Sequence, residues 1–141
     1  MTRNERKGFM IKGIGIDTVN INEIARYMKE PGDAFITRTF SDSEVRASSL
    51  SPKPEEYLAA RFAAKEAVFK AIAHFTKEKA FDFRIVETLN ESDGYPYIHV
   101  NEKLKPLLAE AGIGSLLISI TTEDEYATAM VVAITDVNDP V

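Results

Sequence analysis

Two carboxylates and a lysine are spaced so that they could form a magnesium–phosphate site. Glu66 and Lys70 lie four residues apart in a segment, residues 61–70, whose other positions are mostly Ala, Val and Phe. Side chains at that spacing share one face of a helix. Asp17 offers a second carboxylate at the end of the apolar run Gly13-Ile-Gly-Ile. Two carboxylates together with substrate phosphates are a common way to hold Mg²⁺.

The same spacing also has plainer explanations. Glu66 and Lys70 could be an ordinary exposed helix pair, which is worth about 0.3–0.5 kcal/mol. Asp17 could end a strand or cap the next segment. The Gly13-x-Gly15 pair is poor evidence for a dinucleotide-binding loop, because no third glycine follows at the required spacing and no helix is predicted to open there.

Composition limits the possible functions. The chain has 141 residues, 45% of them hydrophobic and 28% charged, which suits one soluble domain. A net charge of −5 argues against general nucleic-acid binding. No apolar run approaches the roughly 20 residues of a membrane span. With no cysteine, disulfides are excluded and a cytoplasmic location is the default. Residues 1–9 are predicted to be a disordered extension and residues 10–138 a single domain.

The predicted elements alternate between helical and strand patterns. Ser41 and Glu44 have the spacing of a capping box, Asp93-Gly94 predicts a hairpin turn, and Gly112 predicts a helix stop. In chain order the expected elements are a strand at 10–19, helices at 20–29, 33–39 and from 41 for about two turns, a long helix at 54–75, strands at 81–88 and 95–100, a helix from 101 to 112, and strands at 115–122 and 126–135. This order predicts an α+β fold with a mainly antiparallel sheet packed on the long helix.

Taken in order, four blocks resemble the holo-acyl-carrier-protein synthase family of 4′-phosphopantetheinyl transferases. The blocks are Met10-Ile-Lys-Gly-Ile-Gly-Ile-Asp17, Arg61-Phe-Ala-Ala-Lys-Glu-Ala67 with Lys70, Asp93-Gly-Tyr-Pro-Tyr97, and Ser119-Ile-Thr-Thr-Glu-Asp-Glu-Tyr-Ala127. The resemblance implies a homotrimer with active sites between neighbouring subunits. It also implies Mg²⁺-dependent transfer of the phosphopantetheine arm of coenzyme A to a serine of an acyl carrier protein.

The resemblance also assigns roles to individual residues. It implies that Asp17 and Glu66 hold Mg²⁺ and that Lys70 neutralises coenzyme A phosphate charge. The base that takes the serine proton is not visible in the sequence, and our hypothesis is a metal-bound water held by Glu66. Arg61 and Lys65 are expected either to contact the coenzyme or to pair with carboxylates. Pro96 is expected to line the coenzyme cleft or to be a plain hairpin residue, and Thr122 occupies a position that is usually histidine. Phe35 and Arg38 match positions that contact the carrier.

Several departures from the family pattern keep a second function open. Residues 71–77 contain no glycine where the family has a Gly-Thr-Gly loop, so Thr76, Lys77 or Lys79 would have to compensate. Phe69 replaces a small hydroxyl residue, and Glu23 replaces an arginine that would face an acidic carrier. The alternative function is a degenerate, non-catalytic paralogue that binds coenzyme A or a carrier protein.

Overall fold

The structure, a computed structural model, describes residues 8–30 and 34–135. Most of the predicted extension at 1–9, the helix stop expected at 31–32, the start of the helix expected at 33 and the chain after 135 lie outside the described residues. The helices and strands, in chain order, are β1 (Ile11–Asn20), α1 (Ile21–Lys29), α2 (Ala34–Thr39), α3 (Asp42–Ser49), α4 (Pro54–Ile72), β2 (Glu87–Asn90), β3 (Pro96–His99), α5 (Lys105–Ala111), β4 (Ile113–Glu123) and β5 (Tyr126–Thr135).

The strands form two antiparallel sheets. The larger sheet has the order β1-β5-β4, and β2 and β3 form a separate hairpin. The long helix α4 packs on the larger sheet, mainly against β1 and β5. The α+β fold predicted from the sequence is therefore confirmed. Among the described residues, no helix is long and apolar enough to cross a membrane.

Small residues let the sheet and the long helix approach closely. Ala63, Ala67 and Ala71 of α4 are buried against the sheet, as are Ala129 and Ala133 of the central strand β5. The two glycines of β1 complete this contact. An ideal Cβ on Gly13 would lie 2.1 Å from the Ala71 carbonyl oxygen, and one on Gly15 would lie 1.9 Å from the Ala67 carbonyl oxygen. The Gly-x-Gly pair is thus explained by strand–helix packing.

Local hydrogen bonds explain where several elements begin and end. The Ser41 hydroxyl accepts from the Glu44 amide, and the Glu44 carboxylate accepts from the Ser41 amide, so the predicted capping box is confirmed. Gly112 ends α5 with φ 71°, as its type predicts. The Asn101 side chain accepts from the amides of residues 103 and 104, and the helix itself begins at Lys105.

Two predicted elements differ from the structure. The long helix ends at Ile72 and continues as a 3₁₀ turn, Ala73–Phe75. The strand predicted at 81–88 is wrong for most of its length, because the Asp82 carboxylate accepts from the Arg84 amide and opens a 3₁₀ turn at Phe83–Ile85. Only the last part of the segment belongs to a strand, β2.

The sheet face opposite α4 carries exposed apolar side chains. Ile14 and Ile16 of β1 alternate with buried Gly15, and Ile16 pairs with Met130 of β5. Leu117 of β4 lies on the same face, opposite Val132. Ile14 is 69% exposed and Leu117 54% exposed. This surface, called here the outer sheet face, is unusual for an isolated domain because an apolar sheet face is normally covered.

Candidate active site

Asp17 and Glu66 line one cleft, although they come from different elements. Asp17 lies on β1, after the two glycines that bring this strand against α4, and Glu66 lies on α4. The cleft has a volume of about 340 Å³, and α1 and Phe35 form its other side. The structure therefore brings together the two carboxylates that the sequence singled out.

Lys70 pairs with Asp17. Its ammonium lies 3.0 Å from the Asp17 Oδ1 atom and also donates to the Ile16 carbonyl oxygen at 2.9 Å. The Lys70 side chain is 49% exposed and that of Asp17 is 19% exposed. Lys70 thus reaches across from α4 to the end of the glycine-containing strand and remains accessible from solvent.

Among the described residues no cation lies as close to Glu66, and its environment disfavours its charged form. Partial burial raises the pKa of Glu66, the negative charge of Asp17 raises it further, and Lys70 lowers it in part. A cation bound beside both carboxylates would relieve the repulsion that the Asp17 charge exerts on Glu66. Oxygen donors of this kind suit Mg²⁺, which commonly takes one or two protein carboxylates and fills its other positions with water and phosphate. Within the described residues there is no group of three or more acidic, histidine or cysteine side chains that would form a closed metal cage.

Lys65 does not line this cleft, and its contact with the coenzyme stays a prediction. Its side chain is completely buried. The ammonium donates to Glu44 Oε1 at 2.7 Å, to the Phe83 carbonyl at 2.7 Å and to the Val86 carbonyl at 2.6 Å. Burial lowers the pKa of Lys65, and the neighbouring Glu44 carboxylate offsets part of that effect. The sequence left two roles open for Lys65, and in the structure Lys65 pairs with a carboxylate.

Arg61 is also held by its own chain. The guanidinium stacks on the Tyr57 ring, 3.9 Å from its centroid, and donates to the Asn90 side-chain oxygen at 2.6 Å. Asn90 in turn donates to the Gly94 carbonyl oxygen at 2.9 Å. Arg61 therefore fixes the hairpin between β2 and β3 from the side of α4. The sequence suggested that Arg61 pairs with a carboxylate or contacts the coenzyme. Its pairing with the side-chain amide of Asn90 was not predicted.

The other predicted contact residues lie away from the two carboxylates. Pro96 begins β3 opposite Asn90, and Thr122 is exposed near the end of β4, opposite Ala127. In the described part of the chain neither residue lines the Asp17–Glu66 cleft. Their roles stay predictions.

A second cleft meets the first at Glu66. It has a volume of about 380 Å³, with Arg38 at one side and Phe69, Phe81 and Phe83 at the other. The three phenylalanine rings contact one another, with centroids 5.4 to 6.1 Å apart. We call these three side chains the aromatic wall. Phe81 and Phe83 were not predicted as cleft residues, because the alternation of residues 81–88 indicates a strand.

The segment that replaces the glycine loop is closed by side chains. Lys79 donates to the carbonyls of residues 73, 74 and 76. The Thr76 hydroxyl shares its one proton between the carbonyl oxygens of residues 78 and 73, at 2.7 and 3.1 Å. The Lys77 amide donates to Glu110 at 2.6 Å. Thr76 and Lys79 therefore cap the end of α4, which leaves the Lys77 side chain as the remaining candidate for a phosphate contact.

Comparison with known proteins identifies the class to which this fold and site belong. The family model described as the 4′-phosphopantetheinyl transferase superfamily matches residues 13–131. The chain belongs to this superfamily, as its sequence blocks predicted. Within it, the chain is 35% identical to the holo-[acyl-carrier-protein] synthase of Halothermothrix orenii, over 87% of this chain and 97% of that protein.

Solved structures agree with this assignment. The crystal structure of holo-[acyl-carrier-protein] synthase from Neisseria meningitidis matches with a TM-score of 0.77 and 35% identity, covering 88% of this chain and 98% of the other. The Helicobacter pylori holo-[acyl-carrier-protein] synthase in complex with coenzyme A matches with a TM-score of 0.70 and 28% identity, covering 85% and 98%. Similarity of this extent covers both helices and sheets of the fold described above.

Proposed function

We propose that this protein transfers the 4′-phosphopantetheine arm of coenzyme A to a serine of an acyl carrier protein and that the reaction depends on Mg²⁺. The observation that carries the proposal is the convergence of Asp17 and Glu66 at one cleft, from β1 and α4, with Lys70 paired to Asp17. The similarity to relatives named holo-[acyl-carrier-protein] synthase supports the same reaction. A structure of one such relative is a complex with coenzyme A.

In the proposed reaction the serine oxygen attacks the β-phosphorus of coenzyme A, and 3′,5′-adenosine diphosphate leaves. Asp17 and Glu66 are the residues that hold Mg²⁺, and their oxygen donors fit that ion. When bound, Mg²⁺ supplies neutralisation of the charge that develops on the diphosphate oxygens. The two carboxylates contribute a fixed position, because the contact between β1 and α4 sets where each of them lies.

Lys70 and Glu66 have the further roles in this proposal. The half-exposed Lys70 side chain is proposed to turn from Asp17 to a phosphate oxygen, where its charge stabilises the transition state. Glu66 lies where the two clefts meet and is proposed to assist removal of the serine proton. The same group is thus proposed as a metal ligand and as an aid to proton transfer.

We propose a homotrimer in which the outer sheet face is covered by the other subunits. The exposed side chains of Ile14, Ile16 and Met130 support this, because burial of apolar surface drives assembly. In such an assembly Pro96 and Thr122 would complete the coenzyme site across the subunit boundary.

A cytoplasmic location remains the prediction that the absence of cysteine favours.

The carrier protein is proposed to bind beside the cleft. Phe35 lines the Asp17–Glu66 cleft and Arg38 lines the second one, so both predicted contacts lie at openings that share Glu66. Glu23 also lines the first cleft, and its charge would repel an acidic partner there. A carrier with reduced negative charge at the facing position would fit this surface.

Intact-mass spectrometry tests the proposal directly. The protein is mixed with coenzyme A, Mg²⁺ and a panel of apo acyl carrier proteins, and the mass gain of a phosphopantetheine group is measured. We expect transfer by the wild-type protein, and loss of more than a hundredfold in Asp17→Asn and Glu66→Gln. The exposed carboxylate of Glu102, on the turn before α5, offers a control variant, Glu102→Gln, that should keep full transfer.

A folded protein that transfers nothing to any carrier would contradict the proposed function. Retained binding of coenzyme A in that case would support the alternative of a non-catalytic paralogue. Two features of this chain would then be the first to change back to the family pattern. They are the bulky Phe69 in the aromatic wall and the side-chain-capped turn at 73–79.

A further inference from the structure

Lys65 is a buried charge with a full set of hydrogen-bond acceptors. The ammonium has three N–H groups, and all three are used, by one carboxylate and two backbone carbonyls. Taking a lysine out of water is costly, and it is tolerated here because every donor is paired. The three partners belong to different parts of the chain: Glu44 to α3, and Phe83 and Val86 to the 3₁₀ turn and its end.

One of the two carbonyls tied by Lys65 belongs to Phe83, a member of the aromatic wall. The Phe83 ring contacts the rings of Phe62, Phe69 and Phe81 at centroid distances of 6.3, 6.1 and 5.9 Å. Phe69, Phe81 and Phe83 line the cleft that opens at Glu66. Lys65 therefore lies behind the wall, on the far side from the cleft, and holds its backbone to α4.

Contacts of several kinds hold this segment in place. The 3₁₀ turn has its own short-range bonds, from the Ile85 amide to the Asp82 carbonyl and from the Val86 amide to the Phe83 carbonyl. These bonds shape the turn but do not attach it to α4. Attachment comes from Lys65, from the ring contacts and from the burial of Val86 in the core. Of these, only Lys65 bonds the backbone of the turn from α4.

We propose that Lys65 is a positioning residue: by holding the backbone of residues 83 and 86 against α4, it keeps the aromatic wall opposite Glu66 and sets the affinity for coenzyme A. This inference rests on the proposed function, since it takes coenzyme A as the occupant of the cleft. It separates Lys65 from Lys70, which acts at the carboxylates themselves. Lys65 contributes to ground-state binding and leaves the metal ligands unchanged.

The test compares Lys65→Met with Glu44→Gln. Methionine keeps the length and volume of the side chain but removes all three donors. Glutamine at position 44 removes the buried charge of Glu44 and leaves Lys65 free to hold both carbonyls. Both variants should lower Tm, so a loss of stability alone does not distinguish them. Only Lys65→Met should loosen the aromatic wall.

Three readouts distinguish positioning from general destabilisation. In Lys65→Met we expect the KM for coenzyme A to rise at least tenfold while kcat changes less than threefold. Hydrogen exchange of the Ile85 and Val86 amides should be at least tenfold faster. Binding of Mn²⁺, used as a probe of Asp17 and Glu66, should be unchanged. Glu44→Gln should keep the wild-type KM and exchange rates.

Other outcomes would overturn the inference. These are an unchanged KM in folded Lys65→Met, a fall in kcat with KM unchanged, or an equal KM rise in both variants. If Lys65→Met does not fold, Phe83→Leu trims the wall without touching the tether and should raise KM in the same way; an unchanged KM there also overturns it. A wild-type protein that does not bind coenzyme A would refute the proposed function, while the exchange rates in Lys65→Met, compared with those in Glu44→Gln, would still show whether the tether holds the segment.

Discussion

Replacing Lys70 with methionine should have opposite effects on metal and on coenzyme A. In the structure the Lys70 ammonium already occupies the Asp17 Oδ1 atom, at 3.0 Å. A divalent ion that takes Asp17 as a ligand must displace that ammonium. Coenzyme A, in contrast, brings negative phosphates that gain from a nearby cation. Lys70→Met therefore removes a competitor of the metal and a partner of the substrate at the same time.

The magnitude follows from the exposure of the pair. With side chains 49% and 19% exposed, the Lys70–Asp17 interaction belongs at the upper end of solvent-accessible ion pairs, about 1 kcal/mol. Loss of that competition should tighten metal binding about fivefold, since 1.4 kcal/mol corresponds to a factor of ten. A hydrogen bond to a charged group is worth about 1.5–3 kcal/mol, so coenzyme A should bind roughly tenfold or more weakly.

Equilibrium binding of Mn²⁺, followed by electron paramagnetic resonance without coenzyme A, measures the first effect, and calorimetry with coenzyme A measures the second. The control is Lys105→Met, which removes an exposed lysine on α5 and should change neither value. Weaker Mn²⁺ binding in Lys70→Met would refute the reasoning, because it would mean that Lys70 supports the metal site. If Lys105→Met tightened Mn²⁺ binding equally, the effect would come from the change in net charge and not from the position of Lys70.

Three further predictions concern stability, pH and assembly. Gly15→Ala should lower stability by about 3 kcal/mol, roughly 10 °C in Tm, because its Cβ would meet the Ala67 carbonyl oxygen at 1.9 Å; Gly8→Ala, with nothing within 4 Å, should change Tm little. The pKa of Glu66 is raised in the folded protein. Neutral Glu66 therefore adds to the free energy of unfolding below the ordinary carboxyl pKa, and this contribution is lost as pH rises through the raised pKa. Glu66→Gln should therefore raise the metal-free Tm at pH 7 and not at about pH 3.5; a gain that persists at the lower pH would contradict this. Met130→Glu places a charge on the exposed outer sheet face and should convert the proposed trimer to monomer by light scattering, and an unchanged mass would exclude this face from the interface.

Elements set by local interactions could be predicted from the sequence. The capping box at Ser41 and Glu44 and the helix stop at Gly112 depend on residues within one turn of each other, and both are confirmed. The hairpins β2–β3 and β4–β5 followed from alternating strands joined by short turns. Patterns of this kind are local, so a single chain without relatives is enough to identify them.

The segment at 81–88 could not be predicted, because two local signals compete there. Alternating Phe81, Phe83 and Ile85 indicate a strand. The Asp82 carboxylate instead bonds the Arg84 amide and starts a 3₁₀ turn, and Lys65 then holds the carbonyls on both sides of residue 85. A contact between residues about twenty apart overrides the alternation, and nothing within the segment reveals it.

Lys65 and Lys70 show the same limit at the candidate site. Both are lysines of one helix in one motif, and five residues turn the helix by about 140° beyond a full rotation. That angle places Lys65 under α3 and the 3₁₀ turn, completely buried, while Lys70 reaches Asp17 at the surface. Sequence spacing gives the angle between them, but not which of the two points inward. That choice depends on Glu44, which can receive a buried ammonium only because its other hydrogen bonds fix it at the start of α3. A motif therefore identifies the charges available to a site, and the long-range partner of each charge decides whether it binds substrate or holds the structure that does.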